Sequence, residues 1–231
     1  MRLVTSWLKL ERAPNGSVRR VPINVRSLTG VVNGQEFESS LERDLLLLVH
    51  WDNNVEWYQS QPVRIDYVDA EGIARHYTPD LLVSYRTIEE RGQPSKTRKP
   101  LLCEVKYRED YLGNWKTLRP KFRAARAYAK EHGCEFRVFT EREIRTDYLK
   151  NIQFLWGYRY ADFHVHHYEK LREALEEMEE TTPSLLLEAC YSSKIFRGEA
   201  LWTLWCMIAR GWICCDLGKP LTMQTRIWAP L

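Results

Sequence analysis

Asp80, Glu104 and Lys106 are the residues whose types and spacing point most directly to chemistry. Asp80 follows Pro79 at the start of a predicted strand, within YTPDLLV (77–83). Glu104 and Lys106 stand two apart in a second, mostly apolar stretch, LLCEVKY (101–107). Strand side chains alternate between faces, so Glu104 and Lys106 share one. Unpaired charge inside an apolar strand is costly. A divalent cation bridging Asp80 and Glu104 at the open edge of the sheet offsets much of that cost. Mg²⁺ takes oxygen ligands and keeps waters. Two carboxylates and the Val105 carbonyl leave positions for phosphate and water. Such an ion polarises a phosphoryl group and acidifies its bound water. Lys106 can orient that water or stabilise charge developing on the phosphorane. The pattern suits hydrolysis of a phosphodiester. Taken alone, PD followed 24 residues later by E-x-K describes a salt-bridged strand pair more often than a hydrolytic site.

The elements around these residues follow from periodicity. In ESSLERDLLLLVHW, Leu41, Leu45, Leu48 and Val49 recur at helical spacing, which predicts a helix over 38–50. Ser39 or Ser40 can cap it, with Glu42 or Arg43 in its first turn. VRIDYV (63–68) alternates, DAEG (69–72) is turn chemistry, and a return strand follows. Strands are predicted at 79–85 and 101–107, the latter central in its sheet, with an exposed loop at 86–100 between them. Pro120 is read as opening a helix that Gly133 ends. Arg119, Arg123, Arg126 and Lys130 recur along it at spacings of four, three and four, which gathers four cations on one face. A strand at 135–140 and helices at 141–158 and 165–180 follow. Thr181-Thr182-Pro183 reads as a boundary. Beyond it two helices and a hairpin, turning at Gly218-Lys219-Pro220, make a winged-helix pattern. The domain reading is a basic arm at 1–34, an α/β domain at 35–180 and a winged-helix-like domain at 181–231.

The 231 residues carry a net charge of only +3, unevenly placed. Residues 1–30 hold six basic residues against one acid, and 116–130 hold six and none. Arg19, Arg20 and Arg26 in the arm, and the Arg119–Lys130 face, are the candidate contacts for a polyanion. Residues 160–180 are acidic and read as a solvated face. No C-x-x-C pair suggests a zinc ribbon, and the six cysteines read as reduced thiols of a cytoplasmic protein. His164, His166 and His167 read as a surface or interface group, since no matching ligand spacing accompanies them. The first residues do not read as a secretory signal, and no stretch has the length of a membrane span. No phosphate-binding G-x-x-x-x-G-K-[ST] and no serine elbow are present.

The order of motifs resembles the TnsA endonuclease subunit of heteromeric cut-and-paste transposases. RSLTG (26–30), FESSLERDLLLLVHWD (37–52), QP (61–62), YTPDLLV (77–83) and CEVKY (103–107) carry the resemblance. It continues more weakly through RPKFRAARAYAKEHG (119–133), FTEREIR (139–145) and NIQFLWGYR (151–159). The resemblance implies a restriction-endonuclease-like α/β core, a mixed sheet flanked by helices, with a C-terminal winged-helix-like domain. It implies a catalytic set of Glu42, Asp80, Glu104 and Lys106, with Glu42, Asp80 and Glu104 as ligands of Mg²⁺, for which Mn²⁺ can substitute. Glu38, a turn earlier, is the alternative to Glu42, and Gln61 is a supporting residue. The implied activity is cleavage of the non-transferred strand at the 5′ ends of a transposon, in a bacterial host; the alternatives are a restriction- or repair-type nuclease that acts alone and a non-catalytic transposition adaptor. The implied partners are transposon-end DNA, an RNase-H-like transposase subunit and an AAA+ regulator.

Overall fold

The computed structural model of the chain describes residues 30–32, 34–87 and 98–230. The arm, with Arg19, Arg20 and Arg26, and most of the 86–100 loop lie outside the described residues. Contacts divide the chain into two compact units, Met1–Ile144 and Arg145–Leu231.

In the first unit β1 (Gly30–Val32) and β2 (Gln35–Phe37) pair antiparallel. α1 (Ser40–Trp51) follows and buries Leu41, Leu45 and Leu46. Ser39 caps it, its Oγ accepting from Glu42 N at 3.2 Å. β3 (Val55–Ser60) is a strand that the sequence reading passes over. Its buried end carries Gln59 and Ser60, so no apolar alternation marks it. β4 (Ile65–Val68) and β5 (Ala74–Tyr77) form the expected hairpin. β6 (Leu81–Tyr85) and β7 (Leu101–Val105) come next. α2 (Arg108–Gly113) leads into α3 (Trp115–Glu131), and β8 (Glu135–Phe139) and the short α4 (Glu141–Ile144) close the unit.

The main sheet has the order β3-β6-β7-β8. β7 is central as expected: it runs antiparallel to β6 and parallel to β8, and all five of its residues are buried. Leu82 and Leu102 pack with Ala125 and Ala129 of α3. Phe122, fully buried, adds roughly 2–3 kcal/mol of burial on its own. Leu81 and Val105 instead line a small cavity with Leu45 and Leu46 of α1. The mixed sheet flanked by helices is a restriction-endonuclease-like core.

α3 begins at Trp115, not at Pro120, which lies inside it. Proline removes one helical hydrogen bond there. Burial of Leu118 and the contact of Trp115 with Tyr111, 5.5 Å between rings, carry the helix back through it. Its end is as read: Gly133 adopts φ +71° and Cys134 N reaches back to Ala129 O at 2.8 Å. A Cβ at Gly133 would meet no neighbour within 4 Å. Gly133→Ala should therefore cost about 1 kcal/mol from backbone conformation alone, measured by urea unfolding of the full chain.

The second unit begins with α5 (Asp147–Leu155), which runs into a 3₁₀ turn at Trp156–Tyr158. The single helix expected over 141–158 is thus broken between α4 and α5. α6 (Val165–Met178), β9 (Glu180–Thr181), α7 (Pro183–Cys190), α8 (Lys194–Ala209), β10 (Cys214–Cys215) and β11 (Ile227–Trp228) follow. The small sheet has the order β10-β11-β9, antiparallel throughout. Helix–strand–helix–helix–strand–strand with β11 in the middle is winged-helix topology. It starts at α6, not at 181. α6 buries Leu171 and Leu175 and packs on α7 and α8, so the acidic helix belongs to this unit. β10 and β11 pair as expected but are joined by a longer loop than the turn at 218–220.

Candidate active site

Glu104 sits in β7 with 1% of its surface exposed. Three groups hold its carboxylate. Tyr77 Oη donates to Oε2 at 2.5 Å, and Lys121 Nζ donates to Oε1 at 3.0 Å. Lys106 Nζ lies 3.0 Å from the same Oε1, so the shared face expected of Glu104 and Lys106 is present. The Lys106 ammonium also donates to the Val105 carbonyl at 3.0 Å. Asp80 stands at the entry to β6, and its Oδ2 accepts from Val105 N at 2.6 Å. Asp80 N in turn bonds Cys103 O at 3.1 Å, which ties the two strand ends together. Asp80, Glu104, Lys106 and the Val105 carbonyl thus meet at one end of β7.

The electrostatics follow from burial. Asp80 is held well above the ordinary carboxylate range, first by burial and then by the Glu104 charge, with Lys106 opposing. Burial alone would lower Lys106, but Asp80 and Glu104 outweigh it and raise its pKa. Burial and Glu104 also push the Tyr77 phenol upward, so it stays a donor.

These residues fit a hard cation. The donors are all oxygens, as Mg²⁺ requires. A cation, the Lys106 ammonium, already lies between Glu104 Oε1 and Val105 O.

Glu42 is placed differently. Its Oε2 accepts from Glu38 N at 2.9 Å and its Oε1 from Ser39 Oγ at 2.8 Å. With Ser39 Oγ accepting from Glu42 N, this resembles a capping box in which the acid reaches the N–H one residue before the N-cap. Glu42 lines the small cavity together with Glu36, Ser60, Asp80 and Val105. Among the described residues, however, no three Asp, Glu, His or Cys side chains are grouped as a metal site. The Glu42 carboxylate is thus bonded within its own helix start, while its charge still acts on Asp80. Burial raises the Glu42 pKa and those bonds oppose the rise.

Gln61 is nearby and strained. It has φ +47°, its N bonds Asp80 O at 2.9 Å, and its Nε2 bonds Glu38 Oε1 at 2.9 Å. Its Oε1 is buried with no partner among the described residues. Such costs cluster at functional positions.

Arg119, Arg123, Arg126 and Lys130 are all exposed on α3, as their spacing requires. Arg119 and Arg123 line a groove with Lys116 and Trp115, opposite Val68 and Ala70 at the β4–β5 turn. His167 departs from expectation: it is buried, and its Nδ1 pairs with Tyr191 Oη at 2.8 Å. All six cysteines are free.

Sequence reasoning misses Tyr77, Lys121 and Glu36. Tyr77 and Lys121 reach Glu104 from β5 and α3, and only the fold brings them there.

Residues 52–141 match the family model described as TnsA-like endonuclease N terminal, and residues 143–217 match TnsA endonuclease C terminal. The chain belongs to the TnsA endonuclease family. It is a nuclease subunit of the heteromeric-transposase kind. The TnsA N-terminal match contains Asp80, Glu104 and Lys106, whereas Glu42 precedes it. The two TnsA matches meet beside the Ile144–Arg145 division of the chain. No curated protein matches the chain. No helix among the described residues is long and apolar enough to cross a membrane.

Proposed function

We propose that this TnsA-family chain is a Mg²⁺-dependent endonuclease that cuts the non-transferred strand at the 5′ ends of a transposon. The observation that carries the proposal is the meeting of Asp80, Glu104, Lys106 and the Val105 carbonyl at the end of β7. Asp80, Glu104 and Val105 O would hold the ion, and Mn²⁺ suits the same oxygens. When bound, it supplies Lewis acidity toward the phosphoryl group and a water of lowered pKa. The chain's own residues do the rest. Lys106, next to Glu104, orients the attacking water or stabilises charge on the phosphorane. Glu42 adds negative charge at the cavity edge, and it becomes a ligand only by leaving its helix cap. Gln61 supports the site by tying its own backbone to Asp80.

DNA is held chiefly by phosphate contacts from Arg119, Arg123, Arg126 and Lys130, with Arg19, Arg20 and Arg26 of the arm adding to them. Sequence choice falls to the partners: an RNase-H-like transposase subunit that processes the 3′ ends, and an AAA+ regulator. The winged-helix unit offers the surface for a partner. Trp228 is half-exposed there. Trp202 is exposed too, but its indole is already tied to Asp162 O at 2.9 Å and packed on Tyr158. The whole assembly works in the bacterial cytoplasm.

Replacing Arg119, Arg123 and Arg126 together by Gln should weaken duplex binding equally across sequences. The slope of log affinity against log salt should shrink by about 0.9 per lost phosphate contact. Fluorescence anisotropy across a salt series on two unrelated duplexes measures both. A loss confined to one sequence would mean base readout and contradict the assignment.

A further inference from the structure

Glu104 is gripped at both oxygens by residues from outside its own strand, and the two grips differ in kind. Tyr77 comes from β5, is 7% exposed, and donates one short, charge-assisted hydrogen bond to Oε2. With Oε2 fixed, Oε1 is the oxygen left facing Lys106 and the Val105 carbonyl. Lys121 comes from α3, with 17% of its side chain exposed. Its ammonium lies 3.0 Å from that same Oε1. It is also held over the rings of Tyr77, at 4.7 Å, and Phe122, at 5.1 Å. Oε1 therefore carries two ammonium groups, from Lys106 and Lys121. A divalent ion reaches that oxygen only against both charges.

We propose that Tyr77 and Lys121 set, in opposite directions, how strongly Glu104 takes a divalent cation. Tyr77 is a positioning residue that turns Oε1 toward the site, and Lys121 is a built-in competitor for that oxygen. The inference rests on the reading of Asp80 and Glu104 as metal ligands. The two residues bear on the reaction only through Glu104. Outer partners of metal-ligating carboxylates fix the ligand's orientation, and their loss typically weakens metal binding 10–100-fold. A fixed cation on the ligand oxygen acts oppositely, because like charges repel even through well-screened surroundings.

The test is calorimetric titration of MnCl₂ into the full-length protein at one fixed pH. Wild type, Tyr77→Phe, Lys121→Met, Lys121→Arg and Asp80→Ala are compared, each with its circular dichroism spectrum and thermal midpoint. Tyr77→Phe should weaken Mn²⁺ binding by about 10–100-fold. Lys121→Met should tighten it by about tenfold, and Lys121→Arg, which keeps the charge, should stay near wild type. A merely structural role for either residue moves the midpoint and gives no such opposed pair of affinities. Wild-type Mn²⁺ affinity in a folded Tyr77→Phe protein would overturn the positioning role. Unchanged or weaker binding by Lys121→Met would overturn the competitor role, and this variant decides the matter on its own if Tyr77→Phe does not fold. Should Asp80→Ala abolish binding while the Tyr77 and Lys121 variants behave as wild type, this inference alone fails. Should wild type bind no Mn²⁺, or Asp80→Ala bind as wild type does, the metal reading fails and takes the inference with it.

Discussion

Asp80→Asn is expected to lower DNA cleavage by about 10³-fold while making the metal-free protein more heat-stable at neutral pH. The rate loss follows from removing a proposed ligand of an ion that would supply several kcal/mol of transition-state charge stabilisation. The stability gain follows from the position of Asp80. Burial and the Glu104 charge hold its folded pKa well above 3.8, with Lys106 opposing. A carboxyl group whose pKa rises on folding favours the folded state only while it stays protonated. The cost of ionising it is absent below about pH 3.8 and grows as pH rises toward the folded pKa. The gain in thermal midpoint for Asp80→Asn over wild type should therefore vanish in acid and widen toward neutral pH. Cleavage of labelled DNA beside a pH series of melting curves measures both. Glu104→Ala should lose cleavage to a similar extent without the stability gain. It leaves Tyr77 Oη, Lys106 and Lys121 without their common partner.

Lys106→Met is the second large effect. Cleavage should fall by about 10²–10³-fold, the usual consequence of removing one preorganised charge from a reacting centre. Its stability effect has the opposite sign to that of Asp80→Asn. Lys106 offsets two carboxylates, and its removal leaves Asp80 beside Glu104 with Lys121 as the remaining cation on Glu104. The side chain is 32% exposed, so the full penalty of a broken buried pair does not apply. About 1–2 kcal/mol of destabilisation is expected. The raised Lys106 pKa keeps that contribution present throughout neutral pH, with loss only in strong alkali. Duplex affinity should hold, since the phosphate contacts proposed above lie on α3 and the arm, not at Lys106. Single-turnover cleavage, urea unfolding and anisotropy separate the three quantities.

How much of the molecule is legible in its sequence varies with the physics involved. The strand bearing Glu104 is legible because an acid and a lysine two apart in an apolar run share a face and need a common partner. The cationic face of α3 is legible from helical spacing alone. β3 is not, because its buried end is polar: Gln59 and Ser60 leave no alternation to read. The start of α3 is hidden by Pro120, whose local preference is overridden by the burial of Leu118 and the Trp115–Tyr111 contact. The acids of the 165–180 helix are exposed as read, but its assignment to the 35–180 domain is not legible, since Leu171 and Leu175 pack it with the C-terminal helices. Asp80, Glu104 and Lys106 are brought together as their spacing suggests. Glu42, implied by the resemblance as a third ligand, lies on the same small cavity as Asp80 and bonds Glu38 N and Ser39 Oγ. Tyr77 and Lys121 leave no sequence signal because tertiary packing alone delivers them to Glu104.

Strand-resolved mapping of cleavage tests the central claim most directly. The substrate is a duplex carrying a transposon end, labelled separately on each strand and incubated with this chain and its transposase subunit. A break at the 5′ end of the non-transferred strand is expected with Mg²⁺ or Mn²⁺, and little cutting with Ca²⁺, which prefers more ligands and longer distances. That break alone should be lost when the chain carries Asp80→Asn. A non-transferred-strand break that persists at full rate with Asp80→Asn, or without any divalent ion, would contradict the central claim.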